Sequence, residues 1–404
     1  MKILQVNCVY KKGSTGKITY DLHKALKDNG IESVVCYGRG EKVNETNVYK
    51  TCSELYSKVN QSFARISGVL YGGCFISTNK LISVIEKEKP DIVHLQCING
   101  YFVNIYRLIN WLKHKRIQTV LTLHAEFIHT ANCGYALDCE KWKTGCGNCP
   151  RIREEIGALF FDNTHTSWNK MKNAFDGFEN LTVVSVSPWL MERAKSSPIL
   201  SNKNHAVIMN GLDIEIFKPY NTDELKKELG IENKKIIFHA TPNFNNNPNH
   251  IKGGYYVLKL AERLKDSDTV FIIAGCYPEG LKTPENVILL GNVKNQQKLA
   301  CLYSMADVTL LTSKRETFSM ICAESLCCGT RVVGFKAGGP ETIALPQYST
   351  FVDYGDVDAL EKAVTDCFKN EKNDCIFEEA ASKYSKDVMM QNYISVYRKQ
   401  FLGV

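Results

Sequence analysis

The chain has 404 residues, 44% of them apolar, and carries 50 Lys and Arg against 43 Asp and Glu, a formal net charge of +7. That size suffices for two ordinary cores, and no apolar run approaches the ~20 residues that cross a bilayer as a helix. The whole charge excess falls within residues 1–180, the remainder being balanced; this suits an anionic partner for the first half, and the lack of a dense basic patch with interleaved aromatics argues against nucleic acid.

Met1 to Asn7 runs straight into a strand pattern without a signal-peptide h-region, so the expectation is a cytoplasmic protein whose sixteen cysteines stay reduced. Strands are predicted in the first half at 3–9, 33–37, 92–96, 119–124, 182–186 and 206–209. In the second half they are predicted at 235–239, 270–274, 287–290, 308–311, 331–335 and 350–352. Most are β-branched and continuously apolar, as strands buried on both faces should be, and they alternate with helical patterns. The class is α/β, with two doubly wound, Rossmann-like parallel sheets. The domain limits read 1–203 and 204–385, with a terminal helical segment over 386–404.

In chain order, Gly13-Ser14-Thr15-Gly16-Lys17 follows the first strand and opens a helix, where two glycines permit close backbone approach and exposed N–H groups can meet a phosphate. Residues 101–116 place Phe102, Ile105, Tyr106, Ile109 and Leu112 on one helical face beside basic residues; such a helix can lie in a membrane interface or pack on the sheet. His124 ends a strand, at the sheet edge where open α/β sheets bind ligands. Cys133, Cys139, Cys146 and Cys149 share one loop, and its Cys-Gly-Asn-Cys knuckle suits two thiolates on one metal ion. A structural zinc, free thiols or a disulfide all remain open for this group.

The most informative stretch is Arg315-Glu316-Thr317-Phe318-Ser319-Met320, followed by a helix holding Glu324 and stopped at Gly329. A helix opening at the carboxyl end of a parallel strand offers N–H groups and a positive dipole end to an anion. Two carboxylates beside that anion can only accept hydrogen bonds from neutral hydroxyls. A nucleotide-sugar presents that combination: a diphosphate between ribose and hexose. Gly338-Gly339-Pro340-Glu341-Thr342 downstream, and Lys252-Gly253-Gly254 with Asn210-Gly211-Leu212-Asp213 upstream, complete the set.

Together these motifs resemble the retaining glycosyltransferases of family 4, which have the GT-B fold, over nearly the whole chain. The resemblance implies two domains facing a cleft, with the last helix crossing back to the first domain. It implies transfer of a hexose from a nucleoside-diphosphate sugar, expected to be a UDP-sugar, to a lipid-linked or saccharide acceptor in surface polysaccharide synthesis, without a catalytic metal. Carried over by residue, Lys252 and the Phe318-Ser319-Met320 backbone hold the diphosphate, with Gly13 and Gly16 near it or near the acceptor. Glu324 accepts from the ribose, Glu316 from the hexose, and the base meets Asn292 and Val293. His124 lies near the transferred sugar, so Glu316, His124 and Lys252 form the expected catalytic set. The family's Arg before the Lys is missing from residues 241–250, and Arg315 can take part of its role. The Asp that usually follows the His is also missing, leaving Glu126 as its stand-in. These departures keep a non-catalytic nucleotide-sugar-binding protein of the same fold as the alternative. The basic first half adds an expected peripheral contact with the anionic inner membrane face.

Overall fold

The computed structural model describes residues 1–369 and 375–402. The chain forms two compact units, residues 1–208 with 390–404, and residues 209–389.

The first unit is built on a seven-stranded sheet: β1 (Lys2–Asn7), β2 (Glu32–Tyr37), β3 (Val48–Lys50), β4 (Ile92–Leu95), β5 (Gln118–Leu123), β6 (Leu181–Ser185) and β7 (Asn204–Val207). Its order is β3-β2-β1-β4-β5-β6-β7, and every pairing is parallel. The central strands are apolar on both faces because helices cover both; Ile3, Leu4, Val6, Val93 and Leu121 are fully buried. β3 was not among the expected strands; it is a three-residue edge strand, too short to show a period. β7 pairs with β6 in this sheet, so the division falls at 208/209 rather than at 203/204. Asn204 belongs to a polar stretch that reads as the boundary in sequence, yet it pairs with Thr182 and starts the ladder.

The Ile105–His114 helix buries Ile105, Tyr106, Leu108, Ile109 and Leu112. Its apolar face is therefore core, and the interfacial alternative for this segment is set aside. Among the described residues no helix is long and apolar enough to cross a membrane.

The second unit carries a six-stranded parallel sheet: β8 (Lys235–Asn243), β9 (Thr269–Cys276), β10 (Val287–Gly291), β11 (Val308–Leu311), β12 (Arg331–Phe335) and β13 (Ser349–Val352), in the order β10-β9-β8-β11-β12-β13. Its core joins Ile237, Phe271, Ile273, Leu310, Val333 and Phe335 of the sheet to Val257, Leu260, Leu360 and Val364 of flanking helices.

The terminal Lys386–Leu402 helix begins in the second unit, where Lys386 pairs with Asp213 at 2.7 Å, and its later residues belong to the first. There Tyr393 shares a hydrogen bond of 3.0 Å with Thr122, and Tyr397 one of 2.7 Å with His94 Nδ1. The other ring nitrogen of His94 meets Thr122 Oγ1 at 2.8 Å. Both imidazole nitrogens are thus used, and burial pushes the His94 pKa down to about 3, so the ring stays neutral.

Candidate active site

Three loops leave the carboxyl edge of the six-stranded sheet and touch one another. The loop after β8 carries Lys252, the loop after β11 carries Arg315 to Ser319, and the turn after β12 carries Gly338 and Gly339. Two glycines make the contacts possible. A Cβ on Gly253, whose φ is +67°, would stand 2.0 Å from the Thr312 carbonyl oxygen. A Cβ on Gly339 would stand 2.4 Å from the Thr317 carbonyl carbon and 2.7 Å from the Phe318 nitrogen. Backbone hydrogen bonds close both seams. Lys314 N–H donates to Ile251 O at 2.8 Å, Glu316 N–H to Ala337 O at 3.0 Å, and Gly339 N–H to Glu316 O at 2.8 Å. The Glu341 carboxylate accepts from the N–H groups of Ala337 and Gly338 at 3.0 and 2.8 Å.

This frame places Lys252 Nζ 2.6 Å from Glu316 Oε1. The two residues expected to serve diphosphate and hexose are therefore an ion pair, with side chains only 28% and 14% exposed. Ser319 follows with φ +78°, uncommon for a residue with a Cβ, and its hydroxyl accepts from Cys322 N–H at 3.3 Å as the cap of the Met320–Cys327 helix. Phe318 is buried beneath this turn. The turn thus directs the helix's first N–H groups from the same loop that holds Glu316.

Glu324, in the second turn of that helix, lines a cavity of about 300 Å³. The other walls are Ala240 to Pro242 at the end of β8, Gly275 at the end of β9, Asn292 and Val293 after β10, and Leu299 and Tyr303 of the Gln296–Met305 helix. Val293 and Glu324, expected from sequence to meet base and ribose, share this cavity. Tyr303 was not anticipated; its only sequence signal is that of a core aromatic at helical spacing. Its hydroxyl donates to Glu324 Oε2 at 2.9 Å, fixing the carboxylate's rotamer. Burial first, and the adjacent carboxylate second, hold the phenol far above its ordinary pKa, so Tyr303 remains the donor.

Arg315 is half-buried in the Glu316 loop. In the segment lacking Arg, asparagines fold the backbone on itself: Asn245 Oδ1 accepts from Asn247 N–H, and Asn247 Oδ1 from Asn249 N–H, both at 2.9 Å. The cations of this loop pair are Lys252, Arg315 and Lys314, the last directed over the Tyr354 ring at 5.8 Å.

In the first unit, the Gly13–Asp28 helix starts at the carboxyl end of β1, and His124 follows β5, on the same edge of the sheet. Gly16 lies under the preceding loop, where a Cβ would stand 3.1 Å from Val9. Burial pushes the His124 pKa down to about 4, so its imidazole is neutral near pH 7. Glu126 is not a free stand-in for the missing Asp. It is fully buried, pairs with Arg193 at 2.5 Å and accepts from Ala136 N–H at 2.8 Å.

Cys133, Cys139, Cys146 and Cys149 line one small cavity. Among the described residues, however, no three His, Cys, Asp or Glu side chains are grouped to hold a metal ion. Burial raises the Cys146 thiol to about 11. The loop also packs around Trp142, which is buried, donates to Cys139 O at 2.8 Å and lies 4.8 Å beneath the Arg193 guanidinium.

Residues 221–386 match the family model described as Glycosyl transferases group 1. Among curated proteins, the putative colanic acid biosynthesis glycosyl transferase WcaC of Escherichia coli is 20% identical over 98% of this chain and 100% of its own length. The N-acetyl-alpha-D-glucosaminyl L-malate synthase of Bacillus anthracis is 23% identical, covering 97% and 95%. Among solved structures, Anabaena HepE in complex with UDP superposes with a TM-score of 0.67 at 16% identity, over 99% of this chain and all of that one. The sucrose-phosphate synthase of Thermosynechococcus elongatus does so at 0.67 and 15%, over the full length of both. At such identities the structural likeness carries the fold alone, and that fold is GT-B. Lys252, Glu316 and Glu324 all fall inside the matched segment, and residues 221–386 are thus a glycosyl transferases group 1 domain within a GT-B fold.

Proposed function

We propose that the second unit binds a nucleoside-diphosphate sugar, with UDP as the nucleotide, and that the enzyme transfers its hexose with retention to a hydroxyl of a lipid-linked or saccharide acceptor. The observation that carries this reading is the Lys252–Glu316 pair, held at the start of the helix whose Glu324 lines the 300 Å³ cavity. The cavity takes the nucleoside: the base against Asn292 and Val293, the ribose hydroxyls donating to Glu324 as Tyr303 braces it. The diphosphate meets the backbone N–H groups of Phe318, Ser319 and Met320. It competes for the Lys252 ammonium, which frees Glu316 to accept from hexose hydroxyls.

In the transfer the bond from the anomeric carbon to the phosphate oxygen breaks, and a bond to the acceptor oxygen forms on the same face. The acceptor proton passes to the leaving phosphate. Lys252 stabilises charge growing on the diphosphate, while Glu316 stabilises the electron-poor anomeric centre. Arg315 supplements Lys252 in place of the missing Arg. In the first unit, His124 supplies a neutral imidazole and the Gly13–Gly16 turn supplies N–H groups, for the sugar, a phosphate or the acceptor.

The colanic acid relative supports a surface polysaccharide as product. We place the reaction in the reducing cytoplasm, at the anionic inner membrane face, which suits sixteen free thiols and a basic first half. A thermal-shift screen of UDP-, GDP- and ADP-sugars tests the donor: a UDP-sugar should raise the melting temperature most, because only the folded state binds it. A larger shift with GDP- or ADP-sugars would overturn UDP, and none with any would overturn the donor site.

A further inference from the structure

The Glu54–Ser67 helix of the first unit is turned inside out. Its buried positions are Ser57 and Ala64, while Leu55, Val59, Phe63 and Ile66 form a stripe on the opposite, solvent-facing side. Leu55 is 75% and Phe63 56% exposed. Two further apolar segments adjoin it. Phe75 and Ile76 open the next helix, where Ile76 N–H donates to the Tyr56 hydroxyl at 3.2 Å. The strap Leu159 to Phe161 runs past the helix's end, where Leu159 N–H donates to Arg65 O at 2.8 Å; Phe160 is 73% exposed. Exposed apolar surface of this extent marks an interaction site rather than ordinary surface.

We propose that this face is a docking surface for an anionic lipid bilayer. The proposal rests on the reading of a lipid-linked acceptor only for its biological use; the surface itself stands on its own geometry. Charge selects the occupant. Lys58 and Arg65, seven residues apart, lie along one edge of the stripe, and Lys80 lies one turn beyond Ile76. None of the three forms an ion pair among the described residues. The acidic groups at the border are already engaged. Glu54 is held by Arg39 at 2.8 Å and Gly40 N–H at 2.7 Å, and Asp162 accepts from Cys149 N–H at 2.6 Å. A second copy docked on the same face would bring basic rims together. A headgroup layer supplies the missing negative charge while its acyl region takes the stripe. A helix lying flat, with a basic edge whose long side chains reach back to the headgroups, fits that interface.

The test uses the full chain and vesicles of phosphatidylcholine alone or with added phosphatidylglycerol. The parent should partition onto the anionic vesicles, and added salt should weaken this. The double variant Phe63→Ser/Phe160→Ser should lose at least about tenfold in partitioning, with melting temperature and UDP-sugar binding unchanged, because both side chains are exposed. Lys58→Gln/Arg65→Gln should lose the preference for anionic vesicles but keep any binding to neutral ones. The proposal is overturned if the parent does not partition, or if Phe63→Ser/Phe160→Ser partitions like the parent. It is equally overturned if light scattering shows a dimer that this variant dissolves, which would make a second copy the occupant. Sugar transfer to a soluble acceptor without vesicle binding would sink the surface alone, and vesicle binding without transfer would sink only the acceptor reading.

Discussion

Gly339→Ala probes the frame around Glu316 and the Phe318 N–H without removing a side chain expected to contact substrate. The added Cβ would meet the Thr317 carbonyl carbon at 2.4 Å, its oxygen at 2.5 Å and the Phe318 nitrogen at 2.7 Å. All three are backbone atoms, so no side chain can rotate away. Restoring an ordinary contact beyond 3.4 Å needs a displacement of about 1 Å. That shift falls on the strand-like seam where Glu316 N–H donates to Ala337 O and Gly339 N–H donates to Glu316 O. Losing one or two of those bonds costs about 1–3 kcal/mol, which a folded domain of this size tolerates. A displacement of ~1 Å at a positioned group can cost about 100-fold in rate. Turnover should therefore fall about 100-fold, and affinity for free UDP should fall as well, since the displaced Phe318 N–H is one that the diphosphate is proposed to use. Donor hydrolysis, calorimetric UDP binding and a melting curve on one preparation decide it. A folded Gly339→Ala enzyme with parental turnover would refute the coupling between the glycine contact and Glu316.

Two further predictions concern the first unit and the chain as a whole. Arg193→Ala should destabilise by about 3–5 kcal/mol in urea unfolding, because it strips the main partner from the fully buried Glu126 carboxylate; a loss below about 1 kcal/mol would show that the cysteine loop is not organised around this pair. Acid should also destabilise the protein. Burial depresses His94 to about 3 and His23, His124 and His239 to about 4, below the ordinary value near 6.5. Between those values the unfolded chain binds more protons, so this contribution is complete above about pH 6.5 and is lost as pH falls toward 4. One such His is worth about 2 kcal/mol between pH 6.5 and 5. A urea midpoint that holds constant or rises from pH 7 to pH 5 would contradict the assignment.

The parallel strands were legible because burial on both faces leaves an unbroken β-branched run, and twelve of them read correctly to within a few residues. Legibility failed where polarity and length mislead. β3 is too short for a period, and β7 starts at the polar Asn204, two residues before its expected apolar run. The site motifs were legible as far as backbone chemistry dictates them: glycines where loops cross, a helix start, two carboxylates. The Lys252–Glu316 pair and the brace from Tyr303 to Glu324 join residues 64 and 21 apart, and such pairings come from tertiary packing, which no local pattern encodes. Glu126 looked like a substitute ligand contact because its neighbour His124 fits a motif, but adjacency in sequence did not carry over to the side chain's direction. The stripe from Leu55 to Ile66 has the spacing of a core-facing helix, and a helical period does not say which face meets the protein.

The central claim is that Glu324 serves the nucleoside and Glu316 the sugar. Calorimetric titration of UDP and of a UDP-sugar into the parent, Glu324→Ala and Glu316→Ala tests it most directly. Glu324→Ala removes a charged acceptor for ribose hydroxyls, so both ligands should bind about 10- to 100-fold more weakly, the equivalent of about 1.5–3 kcal/mol. Glu316→Ala should bind UDP at least as well as the parent, because the Lys252 ammonium is released to the diphosphate, while donor turnover falls by orders of magnitude. If Glu316→Ala instead loses UDP affinity and Glu324→Ala loses turnover alone, the two roles are reversed, and if neither variant changes binding or turnover, this is not the donor site.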